Sequence, residues 1–378
     1  MKFGRYYIER PSNTIYHLYE LGGMMVSPGS KHPYLVKFNI VFVGLGMFYF
    51  LTTQLLTLYT KIGDQLVIMQ FTISTCQIMF KHCMIFVRKK QIVDFISDLD
   101  VMWEKVEADD VHKKLFNETI KGRVRYANTF MLMCFCVQPY NVLFWLLTIM
   151  TKPREEWEDW IVWWNLVDAE HFWLRFIVQI YCFEAVMISE GVTGSMVTYL
   201  CAHISGYTRV LRHMLESRLP DNKSQYKETY IFHQKIIKLV RKLNSIYSVS
   251  YFVEIVTSSL TVAFRSFFMV KLVATNGIGG SFAAELLLTI LEFFAPYTIS
   301  MSCELIKSEG EEIIKSAYHN SWYEEDPSTE KDLLILSAFA TRPLLVRYKT
   351  AFEFSMEKFS TFVQATYSYI AMLKNMNF

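Results

Sequence analysis

Residues 38–59 read FNIVFVGLGMFYFLTTQLLTLY and contain no charged side chain. A helix needs about 20 apolar residues to cross the hydrocarbon core of a bilayer, so this run predicts a membrane-spanning helix. Six further largely apolar stretches follow along the chain. Together they predict seven spans, at residues 38–59, 66–87, 127–150, 172–203, 251–275, 281–305 and 352–373.

The composition is that of a membrane protein. The chain has 378 residues, of which 52% are hydrophobic and 16% aromatic, and its mean hydropathy is +0.20. These values are too apolar for an ordinary soluble domain of this length. We expect no nucleic-acid partner, because the net charge is only +2 and the basic residues lie in blocks beside the spans that also carry acidic residues.

The lysine and arginine residues are concentrated in every second segment between the spans. Segments 1–37, 88–125, 205–245 and 307–350 contain 29 of the 38 basic residues. Basic residues close to membrane-spanning helices remain on the cytoplasmic side. We therefore predict a cytoplasmic N-terminus and, after seven crossings, an extracellular C-terminus. This orientation is the reverse of that of a G-protein-coupled receptor.

Three of the cytoplasmic segments contain runs with helical character. In 91–107 and 229–247 apolar residues recur at helical spacing. They are Ile92, Phe95, Ile96, Leu99, Trp103 and Val106 in the first run, and Phe232, Ile236, Val240, Leu243 and Tyr247 in the second. The third run, 333–346, is interrupted by Arg342 and Pro343, and we predict a buried helix there. We expect these helices to extend below the membrane and to pack on one another, although 91–107 also fits a helix on the membrane surface.

The sequence has no pattern that indicates an enzyme or a metal site. It contains no GxSxG nucleophile motif, no HExxH zinc motif and no phosphate-binding loop. The seven cysteines lie in or at the ends of the spans, which argues against a disulfide framework. We expect no catalytic residues, no cofactor and no metal.

The outward halves of spans two, three, four and six carry aromatic, methionine and amide side chains. This mixture suits a cavity for a small hydrophobic ligand, although the core of a helix bundle is also aromatic and rich in methionine. We predict that a ligand contacts Met69, Ile73, Gln138, Asn141, Trp145, Phe183, Met187, Leu288 and Thr289.

Ionisable residues also lie inside the spans, among them Lys81, Glu190, Glu254 and Arg265. Charged groups in a bilayer are costly, so we expect these to face protein or water-filled cavities, either as structural pairs or as cavity-lining groups. Glu285 lies near an outer end of its span and is expected to extend toward the interface.

The last span carries a mildly polar stripe on an otherwise apolar helix. Ser360, Gln364, Tyr367, Ala371 and Lys374 recur there at helical spacing. Such a stripe lines water or forms hydrogen bonds with a neighbouring helix. In a pore, apolar rings along this helix would form a gate by dewetting.

The C-terminal third contains a series of short motifs in a fixed order. They are Cys303–Ile313, residues 317–322 (AYHNSW), Thr341-Arg342-Pro343, Phe354-Ser355 and Thr366-Tyr367-Ser368-Tyr369. By these motifs the chain resembles insect odorant receptors over essentially its whole length. The resemblance implies an all-α membrane protein with seven transmembrane helices in the inverted orientation and with helical cytoplasmic extensions that form an anchor.

The same resemblance implies a function. It implies a ligand-gated, non-selective cation channel that assembles as a heterotetramer with a shared co-receptor subunit. The implied partners are that co-receptor, a small volatile odorant, permeating cations and membrane lipid, at the plasma membrane of an olfactory sensory neuron. The short inner loop between spans four and five differs from the co-receptor and favours an odorant-sensing subunit. A gustatory-type receptor channel is the alternative, followed by a G-protein-coupled receptor.

The resemblance also implies roles for individual residues. Gln138, Asn141 and Trp145 match pocket-facing positions of span three. Ile370 matches a hydrophobic gate, with Leu373 and Lys374 near the outer filter, and we place these three in the pore with Gln364 and Tyr367. Residues 1–305 would form the odorant-sensing bundle, and residues 306–378 the anchor helix and the pore-lining span.

Overall fold

The computed structural model describes residues 10–60, 65–151, 153, 172–217, 223–319, 327–350 and 352–375. Within them the chain forms ten helices and one two-stranded antiparallel sheet, which confirms an all-α architecture. In chain order the elements are α1 (Pro11–Leu21), α2 (Pro33–Thr60), α3 (Gln65–Val87), α4 (Lys89–Glu107), α5 (Asp110–Thr151), α6 (Phe172–Glu216), α7 (Lys223–Asn276), α8 (Gly280–Tyr318), α9 (Pro327–Ala340), β1 (Arg347–Tyr348), β2 (Phe352–Glu353) and α10 (Met356–Asn375).

The first six predicted spans each lie within one helix, namely α2, α3, α5, α6, α7 and α8. Among the described residues, α2, α6, α7 and α8 are long and apolar enough to cross a membrane. The seventh span was predicted to begin at residue 352, but Phe352 and Glu353 form β2 and the helix begins at Met356. The Phe354 amide donates to the Val346 carbonyl at 3.0 Å, which keeps this stretch extended. The number of crossings and the inward N-terminus remain predictions.

Helix α4 buries the apolar face that its sequence predicted. Its six periodic apolar residues are at most 2% exposed. The Trp103 ring lies 5.2 Å from the Phe116 ring on α5, and the Tyr207 hydroxyl on α6 donates to the Leu99 carbonyl at 2.8 Å. Other helices therefore cover this face, so α4 does not lie with its apolar side in a membrane. Helix α1, which the sequence analysis did not predict, packs on α4 and α6 through Ile15 and Leu18.

Two of the predicted inner helices have bounds in the structure that differ from the predicted ones. The run 229–247 is part of α7, a single helix of 54 residues that continues into the fifth span. The run 333–346 was wrong in its extent, because the helix is Pro327–Ala340 and ends ahead of Arg342 and Pro343. It is also buried on one face only, since Leu333 is 5% exposed whereas Leu334 is 72% exposed.

Helix α6 occupies the centre of the bundle and packs along α5 and α8. Its glycines allow α5 to approach closely. A Cβ atom on Gly194 would lie 2.4 Å from Phe130 Cε1, and one on Gly206 would lie 2.6 Å from Phe116 Cε2. Both distances are too short for a Cβ atom, so only glycine at these two positions allows α5 and α6 to pack this closely. Helix α6 continues beyond the predicted span 172–203, to Glu216.

Candidate ligand site

A cavity lies among α2, α3, α5, α6, α7 and α8. We call it the Phe183 cavity. Most of its wall is apolar or aromatic, and the apolar lining residues are Phe50, Phe71, Ile78, Phe130, Phe183, Val186, Met187, Leu288, Leu291 and Ala295. An apolar and aromatic lining with a few polar groups is typical of a site for one small, mostly apolar molecule.

Aromatic contacts fix the shape of the cavity. The Phe183 ring on α6 meets the Phe71 ring on α3 nearly edge to face, with centroids 5.8 Å apart. It meets the Phe50 ring on α2 in the same way at 6.4 Å. Edge-to-face pairs are favourable beyond the area that they bury. Met187 follows Phe183 by one helical turn and therefore presents its flexible thioether to the same space.

The polar lining residues of the cavity are Ser74, Thr75, Gln77, Glu190, Arg265 and Glu292. Arg265 Nη1 donates to Glu285 Oε2 at 2.9 Å, and the guanidinium carbon lies 4.9 Å from the centroid of the Phe71 ring. Arg265 is 3% exposed, and its Nε has no hydrogen-bond partner among the described residues. A ligand oxygen can accept from this donor. Glu285 pairs with Arg265 instead of extending toward the interface as its sequence position suggested.

The end of the cavity is formed by a buried ion cluster. Lys81 Nζ on α3 lies 2.8 Å from Glu190 Oε2 on α6 and also forms an ion pair with Glu254 on α7. Glu190 lines the cavity. The prediction that in-span charges form structural pairs is confirmed for Lys81 and Arg265. Such pairing reduces the free energy needed to bury these groups in a bilayer.

Three of the predicted ligand contacts come together in the cavity: Phe183, Met187 and Leu288. Three others lie elsewhere. Met69 is 37% exposed, Ile73 is half-buried, and the hydroxyl of the buried Thr289 donates to the Glu285 carbonyl at 2.7 Å. Gln138, Asn141 and Trp145 are positions of α5 whose side chains lie outside the described part of the structure.

The sequence analysis missed two of the spans that contribute to the cavity. Phe50 comes from the first span and Arg265 from the fifth, whereas only spans two, three, four and six were assigned to the pocket. Phe50 has no distinguishing pattern in its span. Arg265 had a signal, because Glu285 and Glu292 follow in the next span across a short turn, and opposite charges in adjacent spans favour pairing.

Helix α10 has one packed face and one open face. Phe362 and Thr366 are buried, and the Phe362 ring lies 5.7 Å from the Phe293 ring of α8. On the open face Gln364 is exposed and Tyr367 is 73% exposed, while Ile370 is half-buried. Leu373 and Lys374 are positions of α10 whose side chains lie outside the described part.

Comparisons with known proteins agree with this architecture. The family model described as 7tm Odorant receptor matches residues 61–367. Putative odorant receptor 69a, isoform B, of Drosophila melanogaster is 24% identical over 279 residues, which are 70% of this chain and 68% of that protein. Odorant receptor 10 of Aedes albopictus is 28% identical over 142 residues, 38% of this chain and only 37% of that receptor.

Solved structures show the same fold. The insect olfactory receptor OR5 from Machilis hrabei has a TM-score of 0.75 at 12% identity, and the alignment covers 97% of both chains. The structure of that receptor in complex with eugenol gives a TM-score of 0.76, with 97% of this chain and 98% of that chain covered.

The helical bundle and its apolar, membrane-length helices are those of a helical membrane protein. The chain belongs to the 7tm odorant receptor family. This is a family of receptors and not of enzymes.

Proposed function

We propose that this chain is the odorant-sensing subunit of a ligand-gated, non-selective cation channel formed with a co-receptor subunit. In this proposal a small, mostly apolar volatile molecule binds in the Phe183 cavity. Residues 1–305 form the sensing bundle, and residues 306–378 supply an anchor helix and the pore-lining helix α10. The protein acts at the plasma membrane of an olfactory sensory neuron, with its N-terminus in the cytoplasm.

The Phe183 cavity is the observation that carries this proposal. Most of its wall is apolar, as suits a volatile ligand, and Arg265 provides a donor that favours an oxygen-bearing ligand. The receptor from Machilis hrabei was solved with eugenol, a small volatile of this kind. Membership of the odorant receptor family supports the same class of ligand.

Helix α8 offers a physical connection between ligand and pore. Its residues Leu288, Leu291 and Ala295 line the cavity, while Phe293 of the same helix contacts Phe362 of α10. A ligand that prefers one packing of α8 therefore also biases the position of α10. It shifts the equilibrium toward the open channel only to the extent that it binds the open packing more tightly.

A cavity-filling substitution tests this function in the assembled channel. The chain is co-expressed with the co-receptor, and currents are recorded with a panel of small volatile phenols, esters and alcohols that includes eugenol. Met187→Trp places an indole in the Phe183 cavity. We expect the half-maximal concentration of an agonist to rise at least about tenfold, which corresponds to about 1.4 kcal/mol of lost binding free energy.

Met69→Trp is the matched control, because Met69 is a partly exposed methionine of α3 that does not line the cavity. We expect its dose–response curve to match that of the unmodified channel. If Met69→Trp shifts the curve and Met187→Trp does not, the ligand binds somewhere other than the Phe183 cavity.

A further inference from the structure

A second cavity lies on the other side of the Lys81–Glu190–Glu254 cluster. It is lined by residues of α3, α6, α7 and α8, together with Tyr19 and Met24. We call it the Tyr251 cavity. Nearly all of its lining residues are more than nine-tenths buried, and the apolar ones include Met24, Ile85, Val197 and Ile299.

The Tyr251 hydroxyl is the unusual group in this cavity. Tyr251 is 4% exposed, and its hydroxyl has no hydrogen-bond partner among the described residues. The ring is held in place, because it stacks on Tyr247 at 5.7 Å and meets the Phe354 ring edge to face at 5.7 Å. The neighbouring Tyr247 hydroxyl is already bonded to the Tyr19 hydroxyl. An unsatisfied buried hydroxyl costs about 1–3 kcal/mol, so this one marks a place where a partner is missing.

A second polar group faces the same space. Glu254 is 1% exposed and lines the cavity, and its Oε1 has no hydrogen-bond partner among the described residues. Lys81 faces both Glu190 and Glu254, so two carboxylates share one ammonium group. This arrangement disfavours an anionic guest. It favours a group that donates to a carboxylate and also accepts from a phenol, and an alcohol does both.

We propose that the Tyr251 cavity is a second ligand site, which binds a small amphiphile with an apolar body and one hydroxyl group. The body contacts Met24, Val197 and Ile299, and the hydroxyl lies between Tyr251 and Glu254. This site is separate from the Phe183 cavity. Glu190 and Ala295 line both cavities, so an occupant of one changes a wall of the other.

Photolabelling of the full-length chain in its complex with the co-receptor tests this site directly. The probe is a diazirine analogue of octanol, octanol itself is the competitor, and adducts are mapped by mass spectrometry. We expect adducts on residues of the Tyr251 cavity that octanol suppresses. Val197→Trp fills this cavity and should abolish those adducts, whereas Met187→Trp fills only the Phe183 cavity and should leave them in place.

Tyr251→Phe keeps the shape of the cavity and removes only the hydroxyl. We expect it to raise the octanol concentration for half-maximal competition about tenfold, the equivalent of one lost hydrogen bond. If Val197→Trp does not assemble with the co-receptor, Tyr251→Phe still tests whether the Tyr251 cavity binds octanol. The proposal is overturned if adducts form only in the Phe183 cavity, if no adducts form, or if Tyr251→Phe competes like the unmodified chain. Labelling confined to the Phe183 cavity would leave the proposed odorant site intact.

Discussion

Lys81 Nζ on α3 lies 2.8 Å from Glu190 Oε2 on α6, and Glu190 lines both the Phe183 cavity and the Tyr251 cavity. The Lys81 side chain is 9% exposed and also pairs with Glu254 of α7. The ammonium group of Lys81 therefore joins three helices, α3, α6 and α7. The cluster separates the Phe183 cavity from the Tyr251 cavity and keeps both polar at their shared wall.

Lys81→Met should strongly destabilise the protein. It leaves the carboxylates of Glu190 and Glu254 buried without their cation, and breaking a buried pair in this way costs about 3–5 kcal/mol. The measurement is the thermal unfolding midpoint of the purified protein. Lys105→Met is the control, since the side chains of the Lys105–Glu228 pair are 34% and 56% exposed and such pairs contribute at most about 1 kcal/mol. Equal midpoints for the two variants would contradict the assigned role of Lys81.

Gly206→Ala should destabilise the contact between α5 and α6. The new Cβ atom would lie 2.6 Å from Cε2 of Phe116, whose ring is buried against Trp103 and cannot withdraw. Overpacking of this kind costs about 1–3 kcal/mol. Gly122→Ala on α5 is the matched change, because its Cβ meets no described atom within 4 Å and alanine favours a helix by about 0.5–1 kcal/mol. We expect thermal midpoints to fall for the first variant and to hold or rise for the second.

His112, at the start of α5 in the inner region, should make stability depend on pH. Burial lowers the pKa of its imidazole below the ordinary 6.5, the Asp109 carboxylate opposes this shift, and the nearby His213 adds to it. A lowered histidine pKa means that the unfolded chain binds the proton more readily. The contribution of His112 to the stability of the folded protein is therefore fully present above pH 6.5, and it is lost as the pH falls below that value.

His112→Gln removes the titrating group and checks this dependence. The thermal midpoint is measured for both proteins between about pH 7.5 and 5.5, the range in which an ordinary histidine titrates. We expect the midpoint of the unmodified protein to fall more steeply toward acid than that of the variant. Parallel curves would show that folding does not lower the pKa of His112.

Ile370→Ala should weaken the proposed gate. Replacing isoleucine by alanine widens an apolar constriction and makes it easier to wet, so we expect a several-fold larger current in the absence of ligand. Met372→Ala is the comparison on the same helix, since Met372 is 55% exposed and was not assigned to the gate. Currents are recorded from co-expressed channels. Equal basal currents for Ile370→Ala and the unmodified channel would place the gate elsewhere.

Most of the helices could be predicted from local sequence, whereas α1 was not. Apolar runs of membrane length became helices, and the periodic residues of α4 became a buried face. The limits of helices were harder to predict where a tertiary contact decides them. The start of α10 is an example, since the Phe354–Val346 hydrogen bond holds the chain extended through the region where hydropathy alone favours a helix.

The cavities could be predicted only in part, because each is formed by residues that are distant in the sequence. Phe183 and Met187 lie one turn apart on α6, and their place in the outward half of the fourth span was enough to group them. Phe50 joins them only because α2 packs against α6, and Tyr251 faces a cavity only because α1 and α8 leave space beside α7. Such relations depend on the packing of several helices, and no single run of sequence contains them.

In the proposed function, this chain is itself part of the channel that its odorant opens. Outside-out membrane patches from cells that express it with the co-receptor test this most directly, with an agonist applied to the outer face and no nucleotides in the pipette. We predict single-channel openings that persist in the excised patch and that require higher agonist concentrations in Met187→Trp. If such patches remain silent although the intact cells respond to the same agonist, the proposal that this chain is part of the channel is overturned.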